Sequence, residues 1–567
     1  MKINPITLPT YKDIFDDDPK CLIASITAIP AQFVTTMCFL NTKFYFTDNH
    51  NNLDDYIKDS IFGRALSSTK DGRKVLKWML SKKNSKILDS YTIQELYVIL
   101  FSIKNFLPAD HIMTIDDELL LLKLVLIANQ KRVYQPNRQK LIDDNVDNNN
   151  LDDSFFQSIA WSNNLSQIDV NINCNFIFEA CRCVVMMKYL YSLDKTRAII
   201  DDFLKSKSVD NIITYSFYYT LIIQNYYLHG KDSEYKIQAD SQVSTFMTPL
   251  CIHLKPDTSL LDIKRHPVFR LGDFFYILDL NYFTSQIFTG TYFSLKNKIE
   301  KKHLINNLKS ELGTVMESQF LKPIITNSFK KHASKMKFDC DFSNKGYPDA
   351  MLQMGNSIFI FELKDNLLAD SAMESLDFDE IKNKTEEIFV QSYEKSKKAP
   401  NPKAVVQITN YIKKLLDGDY DNNDLSFRYN QSYYIYPIIL FTDYKYNSSG
   451  IGYYIRERFF DITKGKKGRI NHLVKNGRIK PVTFIGLDFF FNNIYSFSQN
   501  KRLLKTLLDE YHLEINKEET LNLKAPAPFD RDLYPSFERY HSKYNYIIPP
   551  IANKEIEFFK IFGIIFT

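Results

Sequence analysis

Apolar positions in the first half of this chain recur at helical spacing, and in the second half they fall into short unbroken runs. The pattern therefore predicts a helical N-terminal half and an α/β C-terminal half. Residues 1–140 read as mostly helical, and 118–128 (ELLLLKLVLIA) is apolar nearly all round, as a buried helix is. An acidic, Asn-rich stretch at 143–153 reads as a linker or loop. Residues 155–260 are again largely helical, with 176–193 the strongest segment. Two aromatic-rich runs flank Leu-Gly-Asp within 268–280, a hairpin signal that closes the N-terminal half. No internal repeat is visible.

From about residue 300 the texture changes. The spacing predicts a helix over 301–321, with Leu304, Leu308, Leu312, Val315 or Met316, and Phe320 on one stripe, ending near Pro323. Short strands are expected at 336–342 and 347–354, and a buried strand at 356–365, where Ile358, Phe359, Ile360 and Phe361 run without interruption. A charged, helix-prone segment (370–398) precedes an amphipathic helix (404–416) with Val405, Ile408, Ile412 and Leu415 on one side. A polar loop at 417–424, a buried strand at 432–443 and a last strand within 481–491 follow. The tail holds a helix at 502–511 and a Pro- and Tyr-rich stretch to which the pattern assigns no structure. The expected organisation is a helical region (1–150), a helical region ending in the hairpin (151–299), an α/β domain (300–495) and a C-terminal extension (496–567).

Composition narrows this only a little. The 567 residues suffice for three or four units at about 100–200 residues each. A 44% hydrophobic content, with 44 Phe and 35 Tyr, excludes fibrous and wholly disordered classes. The net charge of +5 neither demands nor excludes nucleic acid, so any basic face must be local. Seven cysteines without a CxxC pair give no zinc-ribbon or redox motif and read as reduced, mostly buried thiols of a cytoplasmic protein. The N-terminus lacks an apolar signal core. The uncharged stretch from Cys21 to Leu40 is long enough to span a bilayer, but Pro30, Gln32 and several Ser and Thr make it a buried helix pair, and no membrane association is expected.

The chemistry concentrates at Asp349, Glu362 and Lys364. Glu362 and Lys364 are two apart on a strand and so share a face, with Leu363 pointing away. Charges at the end of such an apolar run sit where a strand emerges into a site. Asp349 follows Gly346 and Pro348, which favour a bend, and a strand pair from Asp349 to Glu362 would bring the carboxylates together. Two carboxylates without thiol or imidazole make a hard oxygen site suited to Mg²⁺ or Mn²⁺. A neighbouring lysine can orient or help deprotonate a water, and phosphodiester hydrolysis is the reaction such a set suits.

Pro348-Asp349 followed by Glu362-Leu363-Lys364 on a buried strand resembles the PD-(D/E)xK nuclease superfamily, over roughly 300–490. The resemblance implies a restriction-endonuclease-like core, a mixed four-stranded sheet flanked by helices, after a large, mostly α-helical N-terminal region. Glu317 stands where family members carry a glutamate on the first helix. Gln407 and Tyr411 match the Gln-x-x-x-Tyr of the RecB-like branch, although a long acidic insert precedes them. By that resemblance Asp349, Glu362, Glu317 and the Leu363 carbonyl bind metal, Lys364 positions the attacking water, and Gln407 and Tyr411 complete the catalytic set.

A second signal is the basic run 464–480, with Lys464, Lys466, Lys467, Arg469, Lys475, Arg478 and Lys480 and no acid; Arg456 and Arg458 lie just upstream. Its glycines suggest a flexible loop or hairpin that tracks phosphates without reading sequence. There is no GxxxxGK[ST], GxSxG or HExxH, so any NTPase would act in trans. The expected function is a metal-dependent, DNA-cleaving endonuclease or exonuclease with a nucleic-acid partner. Multi-domain relatives suggest a phage-defence effector whose helical half senses, targets, binds a protein partner or oligomerises. The alternative is a non-catalytic nucleic-acid-binding or regulatory protein on the same scaffold.

Overall fold

A computed structural model of the chain describes residues 7–46, 50–82, 85–103, 105–133, 175–230, 235–305, 307–342, 346–367, 378–392, 400–420, 427–464, 469–522, 534–541 and 560–562. The stretch 143–153 lies outside these residues. The chain divides into two units. Among the described residues, one runs to Lys298, apart from Val184–Leu193, and the other takes Val184–Leu193 and those from Ile299 onward.

The first unit is helical. The uncharged stretch forms two helices, Pro19–Ser25 and Gln32–Phe46, separated around Pro30, and the second packs Phe33, Val34 and Met37 into the core. Among the described residues no helix is long and apolar enough to cross a membrane. Ile115–Val133 buries Leu121, Leu122 and Leu124 through Ala128, as its all-round apolarity predicts. The hairpin pairs Val268–Leu271 with Phe274–Ile277 across Gly272, whose φ of +56° suits glycine in a tight turn. A two-residue strand, Ile237–Gln238, adds to its edge and is too short to announce itself by alternation. The helix Lys70–Ser81 lies so close to Gly63–Ser68 that a Cβ on Gly72 would meet the Ala65 carbonyl oxygen at 1.9 Å.

In the second unit five strands form one mixed sheet, in the order in which they occur along the chain: β1 (Lys335–Phe338), β2 (Ala350–Met354), β3 (Ser357–Lys364), β4 (Tyr434–Phe441) and β5 (Thr483–Gly486). The first three run antiparallel to one another; β3, β4 and β5 run parallel. The sheet thus has one strand more than the four implied by the family resemblance. Two expected strands are shorter than their apolar runs. β1 stops at Phe338, where Asp339–Asp341 turn as a 3₁₀ helix. Residues 487–492 leave β5 as a helix carrying Phe489, Phe490 and Phe491 into the core.

β3 is buried on both faces. Phe359 stacks on Tyr436 at 5.0 Å and Phe361 meets the edge of Phe490, while Ile358 and Ile360 line the opposite face. Central β4 contains Pro437, which cannot donate to a ladder. Ile435 bonds on the β5 side to Arg478 and Lys480, and pairing with β5 resumes only at Ile438 opposite Thr483. Strand alternation points Pro437 into that gap, where no donor is needed.

The helix expected over 301–321 is displaced. One helix ends at Lys301, and a new one starts behind Asn307, whose side chain accepts from the Ser310 N–H. Leu308–Val315, Met316–Leu321 and Lys322–Phe329 then run on as one helix, α1, and the middle stretch is a π-turn. Pro323 therefore does not end the helix. The widened turn just before it relieves the clash and lost hydrogen bond that proline imposes on a regular helix. Phe378–Phe389 forms α2, and Ala404–Asp417 forms α3 with its stripe fully buried, ending at left-handed Gly418 (φ +84°).

Gly72→Ala should lower the unfolding midpoint, at a cost of about 1–3 kcal/mol for overpacking against backbone. Alanine in an open helix interior stabilises by up to about 1 kcal/mol. A thermal melt of the variant decides the sign.

Candidate functional site

The carboxylates meet because β2 and β3 form a tight hairpin through Gly355 (φ +59°) and Asn356. Its register, Ala350 opposite Phe361, brings Asp349 to the level of Glu362, where the Asp349 Oδ2 accepts the Leu363 N–H at 2.5 Å. Glu362 is 2% exposed, on the face that Ile358 and Ile360 begin. Lys364, two residues on, donates from Nζ to Glu362 Oε1 at 2.7 Å and to Gln407 Oε1 at 2.9 Å. Gln407 comes from the first turns of α3, and Tyr411, one turn later, is buried against the same carboxylate. Glu317 sits in the π-turn of α1, half-buried, and its charge is felt at Asp349 and Lys364. The structure therefore gathers the six residues singled out for catalysis at one end of the sheet. The Leu363 side chain points into the core, and its N–H is occupied by Asp349.

A further carboxylate, Asp339, went unnoticed in the sequence. It follows β1, donates its N–H to the Asp349 carbonyl at 3.3 Å and accepts the Tyr347 N–H at 3.1 Å. Its charge bears on Glu362, Tyr411 and Tyr420. The signal was the Asp itself, hidden because residues 336–342 read as a continuous strand.

Electrostatics follow from burial. Desolvation pushes the Asp349 carboxyl well above the usual range, and the Glu362 and Glu317 charges push it further. Burial likewise raises Glu362, against the pull of Lys364. Burial acts to lower the Lys364 ammonium, but Glu362 and Asp349 outweigh it, so its pKa is raised and it stays charged.

Among the described residues, no three His, Cys, Asp or Glu side chains converge as a ready-made cage for a metal ion. The chemistry of the donors nonetheless fits a hard divalent cation. Glu362 Oε2 is buried and no hydrogen bond of ordinary length reaches it, and Asp349 and Glu362 repel one another. Mg²⁺ is commonly held by one or two carboxylates while keeping several waters.

The basic run is not the expected loop. Lys464 ends the helix Ile451–Lys464, and Arg469–Lys475 is another, broken at left-handed Gly477 (φ +65°). Apolar Ile470, Leu473 and Val474 supply the helical spacing that the charges obscured. Lys466 and Lys467 lie outside the described residues. Lys464, Arg469 and Lys475 are exposed; Arg478 and Lys480 are half-buried over the Tyr434 ring, at 4.7 and 5.5 Å. Tyr434 pairs with Ser357, at the start of β3, five residues before Glu362. These cations therefore lie about 16 Å along the strands from the carboxylates. Arg456 and Arg458 are committed internally, to Asn516 and Glu386.

No protein family, curated protein or solved structure matches this chain.

A carboxyl raised on folding stabilises the folded state fully at low pH, and that contribution is lost as pH rises through the raised value. Asp349→Asn should therefore raise the melting temperature of metal-free protein by a few degrees at pH 8 and leave it unchanged near pH 4. A melt in chelator at both pH values checks this.

Proposed function

We propose that this protein is a metal-dependent nuclease that hydrolyses phosphodiester bonds, in DNA, at the site formed by Asp349, Glu362 and Lys364. The observation that carries the reading is the convergence of a buried carboxylate pair with a charged lysine and an amide, where the central strand of a mixed sheet emerges. The order of helix α1, strands β1 to β3, helix α3 and strand β4 supports a restriction-endonuclease-like core, with β5 as an added parallel strand.

In this reading Asp349 and Glu362 Oε2 hold Mg²⁺ or Mn²⁺, with Glu317 acting from α1 directly or through water. The ion supplies Lewis-acid polarisation of the phosphate and a more acidic bound water. Lys364 keeps its proton at neutral pH, so its role is to orient the attacking water and face the developing negative charge rather than to act as the base. Gln407 fixes the ammonium by accepting one of its three protons, and Tyr411 walls the carboxylate off from solvent.

A second reading, a nucleic-acid-binding protein that no longer cuts, draws on the ion pair that already occupies Glu362 Oε1. Cleavage of plasmid and linear DNA in Mg²⁺ or Mn²⁺ separates the two. Lys364→Ala and Asp349→Ala should each lower the rate by about 100-fold or more, while Lys364→Ala retains DNA binding. Gln407→Ala should cost about 10-fold through misplaced Lys364. Wild type that binds DNA with either metal and never cuts it would establish the second reading. Equal cutting by all proteins would exclude this site.

A further inference from the structure

At the end of the sheet away from the carboxylates, two arginines of the basic run are each tied to a backbone carbonyl and an aromatic ring. Arg469 donates Nη1 to the Leu416 carbonyl at 2.6 Å and stands over the Tyr429 ring at 5.3 Å. Arg478 donates Nη1 to the Ser432 carbonyl at 3.3 Å and stands over the Tyr434 ring at 4.7 Å. Each guanidinium is thus held in place by one bond and one ring, and among the described residues its other N–H groups make no further hydrogen bond. Neither has a carboxylate partner among the described residues. Beside Arg469 the Tyr429 hydroxyl is buried and, among the described residues, has no hydrogen-bond partner. Arg469 stands over this ring, and Arg478 is bonded to Ser432, three residues further along the same segment; burial raises the phenol and both guanidinium charges pull it the other way.

Two forked cations and an O–H donor, with no carboxylate to serve them among the described residues, match a tetrahedral dianion or a phosphodiester oxygen pair. Preorganised arginine distinguishes this place from the solvated lysines nearby. Leu416 lies nine residues after Gln407 on α3, about 14 Å along the helix axis, and the strand register gives a separation of about 16 Å.

We propose that Arg469, Arg478 and the Tyr429 hydroxyl form a phosphate site that grips the nucleic-acid strand about four to five nucleotides from the bond cut, at about 3.4 Å per nucleotide. The proposal rests on the nuclease reading for its ligand. It makes the enzyme a reader of strand length: a substrate too short to reach this site loses its hold.

The test measures binding rather than cleavage, on the full chain in chelator, with labelled single strands of about 12 and about 3 nucleotides. Wild type should bind the longer strand at least about 10-fold tighter, and Arg469→Ala with Arg478→Ala should remove most of that difference and flatten the salt dependence by about one to two ions. Tyr429→Phe, which removes only an unbonded hydroxyl and so leaves folding intact, should weaken the longer strand about 2- to 5-fold. Unchanged affinity and salt dependence in Tyr429→Phe and the double variant would overturn the site, whatever the cleavage assays give. Inorganic phosphate that displaces the long strand completely at millimolar concentration would identify a free-phosphate pocket and overturn the strand anchor. The expected binding pattern in a protein that never cuts DNA would keep the anchor and remove the nuclease reading.

Discussion

Burying Glu362 beside Asp349 sets two negative charges against each other where water cannot screen them, and the surrounding structure is arranged around that conflict. The hairpin register fixes how close they come. Lys364 lies on the same face of the same strand, so its ammonium arrives with the carboxylate that needs it. Gln407 secures the ammonium from a crossover helix, and a backbone N–H from Leu363 takes part of the Asp349 charge. The compensation is incomplete: one Glu362 oxygen stays without a bond. Buried, under-compensated carboxylates are costly to keep.

How much of this was legible depends on distance along the chain. β3 announced itself because a strand buried on both faces needs an unbroken apolar run. α3 did so because its stripe repeats at helical spacing and stops at a glycine. The Glu362–Lys364 pair follows from strand alternation alone, and the approach of Asp349 from a hairpin of near neighbours. Asp339 was hidden because β1 gives way to a 3₁₀ turn at that residue, and local propensity does not encode where an edge strand stops. The helical form of 469–475 was masked by charge, which dominates a short segment whose three apolar residues do the packing. The placement of Arg478 and Lys480 away from the carboxylates could not be read at all. It follows from the parallel register of β3 and β4, set by a crossover of some seventy residues (364 to 434).

The parallel half of the sheet also explains why a proline is tolerated in a central strand. β4 is bonded continuously to β3 but only intermittently to its other neighbour, and Pro437 lies in the interruption. The site end of the sheet, where β3, β4 and β5 all terminate, carries the continuous pairing. The looser pairing is confined to the opposite end, beside the arginines.

The π-turn in α1 has a consequence for how this helix can change. It holds one residue more than a regular turn would, and that residue lets Pro323 sit inside the helix and sets the direction in which Glu317 points. Deleting any single residue between Glu317 and Leu321 would restore regular winding and bring back the proline clash. The helix therefore tolerates substitution along its exposed side far better than a change of length. Glu317 and Pro323 form one inseparable arrangement, gained or lost by a single insertion.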